Sequence, residues 1–256
     1  MSTNPFLITS YKNPKYFCNR ESEAARIIDA VTNNRNIVLV SLRRLGKTGL
    51  IKHVYYSLGK KHDFYLFYID IDNTNNLNDF VNKLINGLVV NQSKRFLNRV
   101  IEYIKQLRPV LTFDTVTGQP EIKIDVTGEQ QNKIALESLF SYLEKLDKHV
   151  IIALDEFQRI TDYPEPRVEA FLRSHIQHLN NVSFIYSGSS THLLQSMFND
   201  YSRPFYHSAD FLHLGKLPFD TYSEFIARHF ILTNKKINKE DVREGISWAD
   251  NHTFYV

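Results

Sequence analysis

The spacing of apolar residues changes repeatedly along the chain. Between Glu21 and Thr32, Ala24, Ile27, Ile28 and Val31 recur every three or four positions, which predicts an amphipathic helix. Asn33, Asn34 and Asn36 break that pattern, and the aliphatic run NIVLVS that follows predicts a strand buried on both faces. Helical spacing returns in TGLIKHVYYSL, with Leu50, Ile51, Val54, Tyr55 and Leu58 on one side. DFYLFYIDI, from Asp63 to Ile71, predicts a second strand, and the Asn/Thr-rich NTNN ends it. From Leu77 to Leu107 the pattern is helical, in two pieces broken near Asn91.

A local change of period follows. Ile122, Ile124 and Val126 alternate with Glu121, Lys123 and Asp125, and Gly118 with Pro120 supplies a turn, so 109–127 reads as a β-hairpin inserted between helices. A helix over Ile134 to Leu146 then leads to the apolar strand HVIIALDEF. A helix over Val168 to Leu179, the strand VSFIYSGSS, a helix near Leu193 to Phe198 and the strand ADFLHLGKL complete the series. This alternation predicts an α/β fold with a mostly parallel sheet covered on both faces. Beyond Pro218 only helical patterns remain, TYSEFIARHF and KEDVREGISWADNH. The expected division is a core over 1–216 and the start of a helical piece over 217–256, which looks cut short.

Composition narrows the class. A chain of 256 residues that is 43% hydrophobic can bury one substantial core. The net charge of +3 is too mild, and its basic residues too dispersed, to make nucleic acid the default partner. A single cysteine, Cys18, forbids an internal disulfide, suits a reducing cytoplasmic setting and reads as a small buried apolar residue. The N-terminal stretch lacks the pattern of a signal peptide, and no apolar run approaches the roughly 18 residues of a membrane span.

The chemistry begins at SLRRLGKTGL, Ser41 to Leu50, a phosphate-binding loop pattern whose first glycine is replaced by Ser41. Such a loop grips phosphate with successive backbone N–H groups at the positive end of a helix, and a lysine adds a full charge. Gly46 brings bare backbone close to the anion, whereas serine can make the opening turn if its φ stays negative. Arg43, Arg44, Leu45, Gly46, Lys47, Thr48 and Gly49 are therefore the expected nucleotide-binding residues, with Lys47 on the β- and γ-phosphates and Thr48 on Mg2+. Alone, Gly-Lys-Thr is a short tripeptide; between a strand and a helix it is specific.

In VIIALDEF, Asp155 ends an apolar strand where it can hold Mg2+ through water, and Glu156 follows as the base that orients and deprotonates an attacking water. SGSS ends the next strand, and Ser187 or Ser189 there can sense the γ-phosphate or cap a helix. Charge neutralisation in the transition state also calls for an arginine, with Arg43, Arg44, Arg173 and Arg203 as candidates. Asn238-Lys239-Glu240-Asp241 matches a guanine-reading motif, but it precedes a helix rather than following a strand, so Asn238 is expected to be an N-cap. His207 and His213 have no partners at metal-ligand spacing.

Taken together, YFCNRESEAARI, SLRRLGKTGLI, VIIALDEFQ, FIYSGSS and RPFYHSADFLHLGKLPF resemble the prokaryotic AAA-like ATPases of the STAND class, the archaeal-type ATPase family that also occurs in gut Bacteroidetes. The resemblance implies a P-loop NTPase sandwich with a five-stranded parallel sheet in the order 2-3-4-1-5 and a helical lid. It implies Phe17, Cys18, Asn19 and Arg20 on the adenine side, with Asn19 in place of the family's glycine. An arginine expected near 208 is absent from PFYHS, leaving Arg203 as its neighbour. NHTFYV is similar to a lid segment after which the family continues into a winged-helix region. The implied cofactors are ATP and Mg2+, and the implied activity is that of an ATPase acting as a nucleotide-dependent molecular switch. Two alternatives are a scaffold that binds ATP or ADP with little hydrolysis and a DNA-processing ATPase. A protein partner or self-association is a further option, with the long helices and the inserted hairpin either docking surfaces or, as the preferred reading, a covering layer for the sheet.

Overall fold

In the computed structural model, residues 11–90, 92–113, 118, 120–124 and 128–250 are described. Helix α1 (Glu21–Thr32) leads into β1 (Ile37–Val40), α2 (Lys47–Gly59) and β2 (Phe64–Asp70). Helices α3 (Leu77–Val89) and α4 (Lys94–Ile104) precede a hairpin of β3 (Val110–Phe113) and β4 (Pro120–Lys123). Then α5 (Glu129–Glu144), β5 (His149–Asp155), α6 (Val168–Ile176), β6 (Val182–Gly188), α7 (Thr191–Asn199) and β7 (Asp210–His213) alternate, before α8 (Phe219–Leu232) and α9 (Lys239–Trp248).

Five strands form one parallel sheet in the order β2-β5-β6-β1-β7, which is 2-3-4-1-5 once the hairpin strands are set aside. Successive side chains of a strand point to opposite faces, so β1 divides between two cores. Val38 and Val40 pack with α3, α5 and α7 residues on one face, while Ile37 and Leu39 pack with Ala24, Ile27, Leu50 and Val54 of α1 and α2 on the other. This two-sided burial is why β1 and β5 are mostly aliphatic and why β6, VSFIYSG, is buried at every position. Parallel pairing brings the C-terminal ends of β1, β5 and β6 to one edge, with Val40 opposite Gly188 and Leu154 opposite Tyr186.

Local signals set the helix starts. Asn76 and Ser93 accept hydrogen bonds from the Asp79 and Phe96 amides at 2.8 and 3.2 Å. Asn238 accepts from Glu240 and Asp241 at 2.7 and 3.3 Å, so the guanine-like motif is a helix cap. The helix expected as far as Leu179 ends at Ile176, and tighter turns carry the chain through His178 and Leu179. A short 3-10 helix, Phe157–Asp162, follows the acidic pair, which the sequence pattern did not show.

The inserted hairpin is antiparallel, with Leu111 opposite Ile122. Val126, most of the turn and NHTFYV lie outside the described residues. Helices α8 and α9 pack around Leu217, Tyr222, Ile226, Val242 and Ile246, against which Cys18 and Phe219 also rest. Among the described residues no helix is long and apolar enough to cross a membrane.

Candidate nucleotide site

The loop between β1 and α2 places its groups by backbone conformation. Ser41 is buried and stays outside the left-handed region, its hydroxyl donating to Leu42 O at 2.7 Å. Arg44 takes φ 66° and Gly46 takes φ 92°, ψ 20°, the conformation that a Cβ disfavours. Gly46 is thus required by chain geometry at the helix start, in addition to any close approach of a ligand. Lys47 is the first helical residue and is buried. Its Nζ donates to Ser41 O at 3.0 Å and Leu42 O at 3.2 Å, which ties the ammonium across the mouth of the loop. Burial pushes its pKa below the usual lysine value, while the Asp155 and Glu156 carboxylates oppose that shift.

Asp155 receives four donors. Ser187 Oγ and the Glu156 amide donate to Oδ1 at 2.6 and 3.1 Å, while Thr48 Oγ1 at 3.3 Å and the Tyr68 hydroxyl donate to Oδ2. Burial, with the Asp155 charge beside it, raises the Tyr68 phenol far above its ordinary value, so Tyr68 is the donor in that contact. Glu156 sits in the left-handed region at φ 58°, unusual for a non-glycine residue. The chain therefore reverses between the two acids, and Glu156 turns to β6. Its Oε2 accepts from Ser189 N at 3.0 Å, Ser189 Oγ at 2.9 Å and Gln158 Nε2 at 2.6 Å. Arg43 Nε donates to Ser189 Oγ at 3.2 Å, linking the phosphate loop to that carboxylate through one hydroxyl.

The donor set fits Mg2+. Thr48 and Asp155 offer hard oxygens, and no group of three or more His, Cys, Asp or Glu able to cage a metal occurs among the described residues. Mg2+ keeps waters and binds through one or two protein oxygens plus phosphates, so a cage is not needed.

The N-terminal segment lies beside the loop. Phe17 stacks on His53 of α2 with centroids 4.3 Å apart and lies over Gly49, where a Cβ would meet the ring at 3.7 Å. Asn19 adopts φ 55°, which explains how asparagine stands where a glycine is expected: it is among the side chains most tolerant of that region. Arg20 is buried and bonded to Glu23 Oε1 at 2.9 Å and Gly215 O at 2.5 Å, so its guanidinium ties α1 to the chain after β7. Cys18 is half-buried, its thiol directed at Thr221 O of α8 at 4.0 Å. Arg203 pairs with Glu169 of α6 at 2.7 Å, and Ser208 donates its hydroxyl to Phe205 O at 2.7 Å.

The structure thus gathers Arg43, Thr48, Asp155, Glu156, Ser187 and Ser189 into one bonded cluster, with Lys47 beside it on the loop carbonyls of Ser41 and Leu42. Neither serine caps α7, whose N-cap position is Ser190. Sequence reasoning missed Tyr68, His53 and Gln158. Tyr68 and His53 lie in segments read only for burial, whereas Gln158 stands two places after the acidic pair, in the quoted VIIALDEFQ.

A sequence profile described as an ATPase domain predominantly from Archaea matches residues 17–253. The chain belongs to this ATPase family. The fold of this chain is similar to several solved structures. A Walker-type ATPase of Pyrococcus abyssi superposes with a TM-score of 0.69 at 18% identity, over 98% of this chain and 69% of that one. The Aeropyrum pernix ORC2 protein, in ADPNP-ADP complexes, gives 0.57 at 17% identity over 87% of this chain and 54% of that one. A Thermotoga maritima RuvB variant gives 0.51 at 14% identity over 95% of this chain and 61% of that one. The ATPase chain therefore spans about half the length of the ORC protein. A comparison with curated proteins found no match.

Proposed function

We propose that this family member binds Mg2+ and ATP at the Gly46 loop, hydrolyses the nucleotide, and works as a nucleotide-dependent switch. One observation carries the reading: at the C-terminal edge of the sheet Thr48 Oγ1 donates to Asp155 Oδ2, Ser189 bridges Glu156 to Arg43 of the loop, and Lys47, held by Ser41 O and Leu42 O, feels the charges of both acids. Lys47 and the loop amides would hold the β- and γ-phosphates. Thr48 and Asp155 would hold Mg2+, which when bound neutralises charge on the phosphate oxygens. Glu156 would orient and deprotonate the attacking water once Ser189 and Gln158 release its Oε2. Ser187 keeps Asp155 Oδ1 occupied so that Oδ2 faces Thr48.

Helices α8 and α9 would belong to a lid. Three contacts join the N-terminal segment to it or to the chain leading into it: Arg20 to Gly215 O, Cys18 to Thr221 O, and His229 Nε2 to Lys15 O at 3.0 Å. An adenine held beside Phe17 would therefore bias the position of α8, which is the population shift a switch needs.

Equilibrium titration with ATP tests the reading. Lys47→Ala should lose ATP binding, and an unchanged affinity would reject the loop assignment. Glu156→Gln should bind ATP but show phosphate release reduced by about a hundredfold or more, the scale at which a general base contributes. A second reading, a binding scaffold with little turnover, is favoured by the three donors that occupy Glu156 Oε2 and by the pairing of Arg203 with Glu169. It predicts tight binding with wild-type phosphate release no faster than that of Glu156→Gln.

A further inference from the structure

Tyr68 stands near the end of β2, the edge strand beside β5, and its register partner is Ala153, two residues before Asp155. From there its hydroxyl reaches across to two groups at once: it donates to Asp155 Oδ2 and lies 3.4 Å from Thr48 Oγ1. These are the two oxygens that the proposed function gives to Mg2+. A carboxylate offers about four acceptor positions. Ser187, the Glu156 amide, Thr48 and Tyr68 fill them. The phenol is half-buried and packs with residues of the α1–α2 face. Lys52 Nζ lies 5.6 Å from its ring centroid.

We propose that Tyr68 is a positioning residue of the metal site, its hydroxyl holding Asp155 Oδ2 and Thr48 Oγ1 together in the metal-free protein and being displaced when Mg2+ arrives with ATP. The proposal rests on the nucleotide reading above. The two oxygens lie 3.3 Å apart, and the one hydroxyl is within hydrogen-bonding distance of both. The hydroxyl also competes with the metal and its waters for Oδ2, so Tyr68 lowers the gain in ATP affinity that Mg2+ brings. A ring used only for packing would not couple to the metal, because it would alter ATP affinity equally with and without Mg2+.

The test is calorimetric titration of ATP into the full chain, in excess EDTA and in excess Mg2+, for wild type, Tyr68→Phe and Tyr68→Leu. The expected result is an ATP dissociation constant in EDTA within about twofold of wild type, and a ratio of EDTA to Mg2+ constants raised about tenfold, the effect of one charge-assisted hydrogen bond. An unchanged ratio, or equal weakening in both media, would overturn the proposal. So would failure of both variants to fold, since the hydroxyl would then be a permanent structural tie. Wild-type protein that binds no ATP in either medium would instead reject the nucleotide reading itself, and the metal role with it.

Discussion

The side-chain amide of Asn86 pairs with the backbone of Ile122 in both directions, Nδ2 donating to its carbonyl at 2.8 Å and Oδ1 accepting from its amide at 2.7 Å. One turn earlier on α3, Asn82 does the same to Ile124, at 3.1 and 2.8 Å. The four-residue helix step thus matches the two-residue step of an extended chain. The outer edge of β4 is satisfied by a helix as if by another strand, which leaves fewer backbone groups of the hairpin open to pairing.

Asn86→Ala and Asn82→Ala should each destabilise the protein by about 1–3 kcal/mol, because each strands a backbone donor and acceptor at a buried isoleucine. Urea unfolding measures the loss. Amide exchange should accelerate at Ile122 in the first variant and at Ile124 in the second; equal acceleration across the whole chain would argue against a local ladder.

Gly188→Ala tests the close approach behind Glu156. A Cβ there would lie 2.0 Å from Gln158 Oε1, a buried atom without a hydrogen-bond partner. The Gln158 amide must move, at about 1–3 kcal/mol for overpacking, and Glu156 loses one of its donors. Combining the change with Gln158→Ala should recover most of the lost stability relative to the Gln158→Ala parent, read from thermal melts. Additive losses would show that the two residues do not interact.

Cys18 should resist alkylation. Burial is the main cause that raises its thiol from 9.0 to about 11, which leaves roughly a hundredfold less reactive thiolate at pH 8. Iodoacetamide should therefore modify the native chain far more slowly than the urea-unfolded chain. Comparable rates at pH 8 would mean that the contact with Thr221 is open most of the time.

Stability should fall on the acid side through His149. Its Nε2 bonds Val31 O at 3.0 Å and Ser183 Oγ at 3.1 Å, and burial holds its pKa below the ordinary histidine value. A lowered folded-state pKa means that the unfolded chain takes up the proton first. The contribution is therefore complete above about pH 6.5 and is lost as pH drops through the folded value. His149→Gln should flatten the profile of melting temperature between pH 7.5 and 5.5. His53 is lowered by burial in the same sense and keeps some slope in that variant.

Much of this arrangement was legible along the chain. The aliphatic strands could be read because burial on both faces leaves few alternatives to Val, Ile and Leu, and α1 because a one-sided helix must repeat every three or four residues. Gly46, Lys47, Thr48, Asp155 and Glu156 could be read because their chemistry depends on a short local spacing at the ends of strands. The Asn82–Asn86 ladder could not be read, since polar residues on a helix look solvent-facing until a strand is laid against them. Tyr68 looked like one more aromatic in an apolar strand.

Sequence alone determined which segments become strands, where the phosphate loop lies and which acids follow β5, because those properties are set by neighbours within a few residues. Tertiary structure decided which oxygen of Asp155 meets Thr48 and Tyr68, that Arg203 is bound to Glu169, and that the Gln158 amide lies against Gly188. Those contacts join residues far apart in the chain, and only the parallel order of the sheet brings their side chains within hydrogen-bonding distance.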